Sequence, residues 1–242
     1  MSESKSEPTP TIVLVHGAFA ESASWSAVVA ELQSRGHEVV AAANPLRSLA
    51  GDAAYVRDVI SSIGKPVVLV GHSYAGMVIT EAAADNDAVV GLVYVNAFAP
   101  EHGESAFQLS TMFPGSTLGE NLVAYPVATG GNELAIRQDV FRQQFAADVP
   151  EGQAAVMAAT QRPATEAALS EALTTETPPW RHLPSWFVFG EQDMNIPVAL
   201  HRFLAERAGA QASRELAGAS HAISVSEPEA VTATILDATT AL

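Results

Sequence analysis

The chain has 242 residues, 48% of them hydrophobic, with a formal net charge of −15 and no cysteine. Its length suits one large α/β domain, with or without an insertion, burying roughly 70–75% of the unfolded surface. The charge argues against nucleic acid and against anionic lipid, which both need basic patches. The missing cysteines exclude disulfides, thiolate catalysis and thiolate-bound zinc.

In chain order, the lead MSESKSEPTP (1–10) is polar and has no apolar stretch. It reads as a short disordered segment and not as a secretion signal. No apolar run reaches the ~18–20 residues of a membrane span, so a cytoplasmic protein with no membrane partner is expected. TIVLV (11–15) predicts a first buried strand, followed by HGAF. Helical spacing covers 25–33, with Gly36 as a stop. HEVVAAA (37–43) is a second strand. A helix follows over 52–63, capped by Asp52 and ended by Gly64 and Pro66. PVVLV (66–70) is the third strand, 75–84 a helix, and AVVGLVYVN (88–96) the fourth strand. Later come SWFVFG (185–190) and the weaker SRELAG (213–218), with helices at 197–208 and 227–239. Continuous apolar strands alternating with helices fit a doubly wound, mostly parallel α/β sheet of about six strands.

The segment 98–180 breaks this rhythm. It has Gly/Pro turns and helical patches at 132–145, 151–159 and 165–172, but no comparable strand. It reads as a helical cap inserted into a core formed by 11–97 and 181–242.

In a parallel sheet the strand carboxyl ends share one edge, so residues just beyond them can meet. Three polar residues stand out there. Ser73 lies in GHSYAG after the third strand, where Gly71, Ala75 and Gly76 allow the close strand-to-helix turn that presents a nucleophile. Asp193 in GEQDMNIP follows the fifth strand and could orient an imidazole, with Glu191 as a rival. His221 in GASHAISVSEP follows the sixth and could serve as base. The order nucleophile, acid, histidine suits a triad in which His221 takes the Ser73 proton and Asp193 holds the tautomer. The N–H of Tyr74, and that of Ala18 in HGAF, are the candidate oxyanion donors, worth roughly 3–4 kcal/mol each in a transition state.

Phe19, His72, Phe98, Phe113, Trp180 and Met194 are the candidate substrate-binding residues, and Tyr74 is expected beside them in the pocket wall. His16 and His72 are also expected to make structural hydrogen bonds. His37, His102, His182 and His201 read as surface or cap residues without metal-ligand spacing, so no metal is predicted. Trp25 reads as packing.

These residues resemble the α/β-hydrolase superfamily from Thr11 onward, through HGAF, GHSYAG, EQDMNIP and SHAISVSEP. The short start without opening antiparallel strands is similar to the plant branch of hydroxynitrile lyases and methyl-salicylate-type esterases, and NAFAPEHGES resembles small bacterial esterases. The resemblance implies a serine esterase without cofactor, acting as monomer or homodimer on small to medium apolar esters. Dehalogenases and epoxide hydrolases of this superfamily carry Asp at the place of Ser73. The lyases carry Lys and Thr where this chain has Ala222 and Gly17. Lactonase, acyltransferase, perhydrolase or C–C hydrolase chemistry on the same triad is the alternative. A non-catalytic receptor is a third reading, against which the three intact triad residues argue.

Overall fold

In the computed structural model, which describes residues 9–242, the first half of the core runs β1 (Thr11–Val15), α1 (Ser26–Ser34), β2 (Val39–Ala42), α2 (Leu49–Ile63), β3 (Val67–His72), α3 (Ala75–Ala83) and β4 (Val89–Val95). The insertion supplies α4 (Ala106–Ser110), β5 (Leu122–Pro126), β6 (Asn132–Ile136), α5 (Phe141–Phe145), α6 (Glu151–Thr160), β7 (Ala164–Thr165) and α7 (Glu166–Ser170). The core resumes with β8 (Ser185–Gly190), α8 (Val198–Arg207), β9 (Ala212–Leu216), α9 (Ile223–Ser226) and α10 (Pro228–Thr240). Residues 1–8 of the expected disordered lead lie outside the described residues.

The six core strands form one parallel sheet in the order β2-β1-β3-β4-β8-β9. Leu14 pairs with Ala41 on one side and Val70 on the other, so β1 lies where the chain reverses its direction of winding. Strand alternation divides the core between the two faces. Ile12, Leu14, Val68, Val70, Val93 and Val95 pack under α1 and α10 with Trp25 and Ile235. Val13, Val15, Leu69, Tyr94 and Phe189 pack on the other face under α2, α3 and α8. Burial on both faces explains why these strands read as unbroken apolar runs.

Two local expectations change. The N-cap of α2 is Ser48, whose side chain accepts from Gly51 N–H at 3.0 Å. Asp52 lies inside the first turn and is fully buried. The insertion is also not all helical: β5, β6 and β7 form a three-stranded antiparallel sheet. The expected helix at 132–145 is β6 followed, after a turn, by the one-turn α5. Most of β5 is exposed, with Tyr125 39% accessible, so it lacks the apolar signal of a core strand. Gly130 and Gly131, both at positive φ, make the β5–β6 connection, and that Gly-Gly pair was the available hairpin signal. Among the described residues no helix is long and apolar enough to cross a membrane.

The turn after β3 is closely packed by backbone on several sides. A Cβ on Gly17 would lie 2.6 Å from both the His72 carbonyl oxygen and Ser73 Cβ. One on Gly71 would lie 2.7 Å from the Ala75 carbonyl oxygen, and one on Gly76 would collide with the Phe98 carbonyl. Gly17→Ala therefore forces the β1 loop off the β3 turn, and such overpacking costs about 1–3 kcal/mol or more. Urea unfolding should show the midpoint of this variant well below that of the wild type; equal midpoints would refute the close approach.

Candidate active site

The turn between β3 and α3 places Ser73 at φ 57, a left-handed conformation that side chains with a Cβ adopt at a cost. Its backbone is held on three sides. Ser73 N–H donates to Val95 O at 3.2 Å, and Ser73 O accepts from Gly76 N–H at 3.0 Å and from Phe98 N–H at 3.3 Å. Ser73 is 8% accessible, the opening needed for a small molecule to reach it.

Beyond β8, Asp193 is buried and accepts four hydrogen bonds. Oδ1 takes Asn195 N–H at 2.8 Å and Ile196 N–H at 2.9 Å. Oδ2 accepts from His221 Nδ1 at 2.7 Å and from His201 Nε2 at 3.1 Å. Burial alone would push this carboxyl up. The adjacent His221 and the bonds from His201 and His221 outweigh it and hold Asp193 well below the ordinary carboxylate range. Asp193 is thus the acid that meets the histidine, while Glu191 is exposed and takes Gly218 N–H at 3.2 Å.

His221 is fully buried, and its Nε2 has no protein partner among the described residues. With Nδ1–H committed to Asp193, Nε2 carries the lone pair and is free to accept a proton. The His221 carbonyl accepts from His72 Nε2 at 3.0 Å, and the two rings are 4.7 Å apart, so the candidate base lies against the residue preceding Ser73. Phe145 from the insertion covers the His221 ring edge-on at 4.8 Å.

Asn96 sets the height of this loop. It is fully buried at the end of β4, at φ 42. Its Nδ2 donates to Ser220 O and His221 O, both at 2.9 Å, and its Oδ1 accepts Gly190 N–H at 2.7 Å. One amide side chain thereby ties the ends of β4 and β8 to the histidine loop. From the insertion, Asp148 accepts Ser220 N–H at 3.0 Å and a short bond from the Ser220 hydroxyl.

The two candidate oxyanion donors flank Ser73. Ala18 and Tyr74 line the same small cavity as Ser73, about 40 Å³, walled by Phe19, Phe98, Phe107, Leu118, Leu169 and Ile196. Neither the Ala18 nor the Tyr74 N–H takes a protein acceptor among the described residues. An outer groove of about 620 Å³ shares Phe107, Ser110 and Leu118 with this cavity. A polar hollow of about 920 Å³ lies between the end of α3 and residues 174–183 and shares no lining residue with the Ser73 cavity.

Four of the six expected substrate-binding residues stand elsewhere. His72 is 1% accessible, wedged between Trp25, Phe145 and His221. Burial and the neighbouring His221 push it down to about 3, so it is a neutral donor inside the core. Trp180 is buried away from the cavity, donating from Nε1 to Pro100 O at 2.9 Å beneath Arg181 and Arg207. Phe113 lines only the outer groove, against the Phe203 ring at 5.6 Å. Met194 points outward at 38% accessibility, and only its carbonyl is engaged, by Thr117 N–H and Gln144 Nε2. His72 and Met194 were expected from closeness in sequence to a site residue, Phe113 and Trp180 from their place in or beside the cap segment, and the side-chain direction depends on local backbone that the sequence alone does not reveal. Phe19 and Phe98 do line the cavity.

His201 is the second departure. Expected at the surface or in the cap, it is 1% accessible, stacked on Phe189 at 5.1 Å and bonded to Asp193. Burial lowers it, with the Asp193 bond opposing, so it too is neutral and donates its Nε2–H. Its place in α8, which follows the acid directly, was the available signal. His16, Nδ1 to Gly17 O at 3.0 Å, is pushed down to about 4 by burial.

Two expectations follow. Asn96→Ala strands the Gly190 N–H and the Ser220 carbonyl and leaves the His221 carbonyl with His72 alone, and should lower stability by about 2–4 kcal/mol in urea unfolding while displacing the histidine loop. His16 and His72 refuse protons when folded that their unfolded forms, near 6.5, accept. Their contribution to stability is therefore full above about pH 6.5 and falls as the pH drops toward 4. Urea midpoints measured across that range should decline with acid, and His72→Gln should flatten the decline.

The model of the alpha/beta hydrolase family matches residues 12–234. A carbendazim hydrolyzing esterase of Nocardioides sp. (strain SG-4G) is 39% identical over 114 residues. The alpha/beta hydrolase nvfD of Aspergillus novofumigatus is 34% identical over 115 residues. Both matches cover 40% of this chain and span about half of the relative, 46% of its length. Among solved structures, polyneuridine aldehyde esterase superposes with a TM-score of 0.79 at 21% identity, covering 95% of this chain and 99% of that one. Methylesterase MES16 from Arabidopsis gives 0.78 at 19% identity, covering 96% and 100%. The chain belongs to the alpha/beta hydrolase family, whose six-stranded parallel core it carries.

Proposed function

We propose that the protein is a serine carboxylic-ester hydrolase that cleaves small to medium apolar esters through an acyl-enzyme on Ser73. The observation that carries this reading is the His221 imidazole, bonded at Nδ1 to buried Asp193, without a partner at Nε2 among the described residues, and packed against His72, the residue before a serine raised on a left-handed turn. His221 Nε2 takes the hydroxyl proton as Ser73 Oγ attacks the ester carbonyl. The tetrahedral oxyanion is received by the Ala18 and Tyr74 N–H groups. The proton then passes to the leaving alkoxide, and water repeats the sequence on the acyl-enzyme. Asp193 stays ionised throughout, its four donors holding it as the anion that favours imidazolium.

The largely apolar cavity wall supports uncharged substrates, and the esterases among the similar proteins support ester hydrolysis. The proposal keeps the expectations of no cofactor or metal, a monomer or homodimer, and a cytoplasmic setting.

The test is hydrolysis of p-nitrophenyl acetate, butyrate, octanoate and palmitate by wild type and Ser73→Ala. The variant should lose on the order of 10⁶ in turnover. Equal rates in the two proteins would remove Ser73 as nucleophile.

A further inference from the structure

Two buried polar groups beneath the site have no part in the triad. Tyr74 is 1% accessible, and its hydroxyl donates to Asp52 Oδ2 at 2.9 Å. Asp52 is fully buried in α2, and its Oδ1 accepts Arg47 N–H at 3.1 Å. Burial pushes the Asp52 carboxyl up, against the bonds from Arg47 and Tyr74. A carboxylate placed there costs stability unless its bonds are made.

Arg47 carries the connection outward. Its guanidinium pairs with Glu133 of β6 and donates to Pro163 O at 2.7 Å. Its carbonyl accepts the Thr165 hydroxyl at 2.5 Å, and Leu46 O accepts Thr165 N–H at 3.1 Å. One residue before Pro163, Arg162 O accepts Phe19 N–H at 3.1 Å. Phe19 is at φ 62 and adjoins Ala18. The four residues 162–165 of the insertion are therefore tied to both sides of the candidate oxyanion site: to Ala18 through Phe19, and to Tyr74 through Arg47 and Asp52.

We propose that Asp52 is a positioning residue for the oxyanion donor: by holding the Tyr74 hydroxyl it fixes the direction of the Tyr74 N–H, and through Arg47 it couples that direction to the insertion. The inference rests on the esterase reading. Tyr74 directly follows the left-handed Ser73, a conformation with a competing right-handed alternative. Anchoring the far end of the Tyr74 side chain restrains the peptide that carries the donor. A donor aimed at the wrong point binds the substrate as before and fails only as the oxyanion forms.

The test compares wild type, Tyr74→Phe, Asp52→Asn and Ser73→Ala on p-nitrophenyl butyrate, with rates of the first three expressed per site titrated by a fluorophosphonate and that of Ser73→Ala per folded protein. Inhibition by an alkyl trifluoromethyl ketone is measured in parallel. Ser73 Oγ adds to that ketone, its proton passes to His221, and the resulting hemiketal oxyanion occupies the donor site. Tyr74→Phe should lower kcat about tenfold with KM unchanged, since small misplacements in an active site are costly. It should weaken the ketone by a similar factor. Asp52→Asn keeps a hydrogen-bonding partner for the hydroxyl and should recover most of the rate. An unchanged kcat in Tyr74→Phe, or a lower kcat with undiminished ketone affinity, overturns the inference. So does a loss accounted for by fewer titratable sites, which marks Asp52 as a folding element only. Absent turnover by wild type, or equal turnover by Ser73→Ala, overturns the esterase reading and the inference with it. Turnover lost in Ser73→Ala but intact in Tyr74→Phe overturns the inference alone.

Discussion

The left-handed turn at Ser73 is the constraint from which the rest of the site follows. A residue with a Cβ at φ 57 holds only where its surroundings leave no alternative. Here those surroundings are backbone. The β1 loop presses on the turn at Gly17, α3 crosses it at Gly71, and the chain after β4 crosses α3 at Gly76. Each contact is possible because a side chain is missing. The tightness that raises Ser73 also brings Ala18 and Tyr74 into the same cavity, so the candidate nucleophile and candidate donors come from one packing solution.

Around that turn the site is built from neutral, buried, hydrogen-bonded groups, with one central anion. His16, His72 and His201 are all held below their ordinary value, with burial the largest cause in each. They act as directional donors and bring no cationic charge that would compete with His221 for Asp193. Asp193 is compensated by two backbone and two imidazole donors, which is how a fully buried carboxylate is tolerated. Asn96 supplies the matching rigidity on the histidine side, since one amide satisfies three backbone groups of two different segments.

The insertion is more than a cover. It contributes Phe145 and Asp148 to the histidine loop, Phe107 and Leu118 to the cavity rim, and the 162–165 segment to the loop beside Ala18. Its position thus bears on the site at several points at once. Its own small antiparallel sheet, anchored by β7 against residues 46–47, provides the stiffness for this.

The sequence by itself determined the parallel core, the order of its elements and the identity of Ser73, Asp193 and His221 as candidates. The reason is that buried parallel strands appear as unbroken apolar runs, and their carboxyl ends must share an edge. Glycine spacing around Ser73 was equally readable, because a close backbone approach permits no other residue. What only the tertiary structure decided concerns side chains whose partners are distant in sequence. Only its place in the helix after the acid hints at His201 as an Asp193 donor, and nothing in α2 marks Asp52 as the anchor of Tyr74 in place of a cap. The directions of His72, Phe113, Trp180 and Met194 were likewise hidden. Local sequence encodes burial and turn propensity, whereas the pairing of a buried polar group depends on which other elements pack against it.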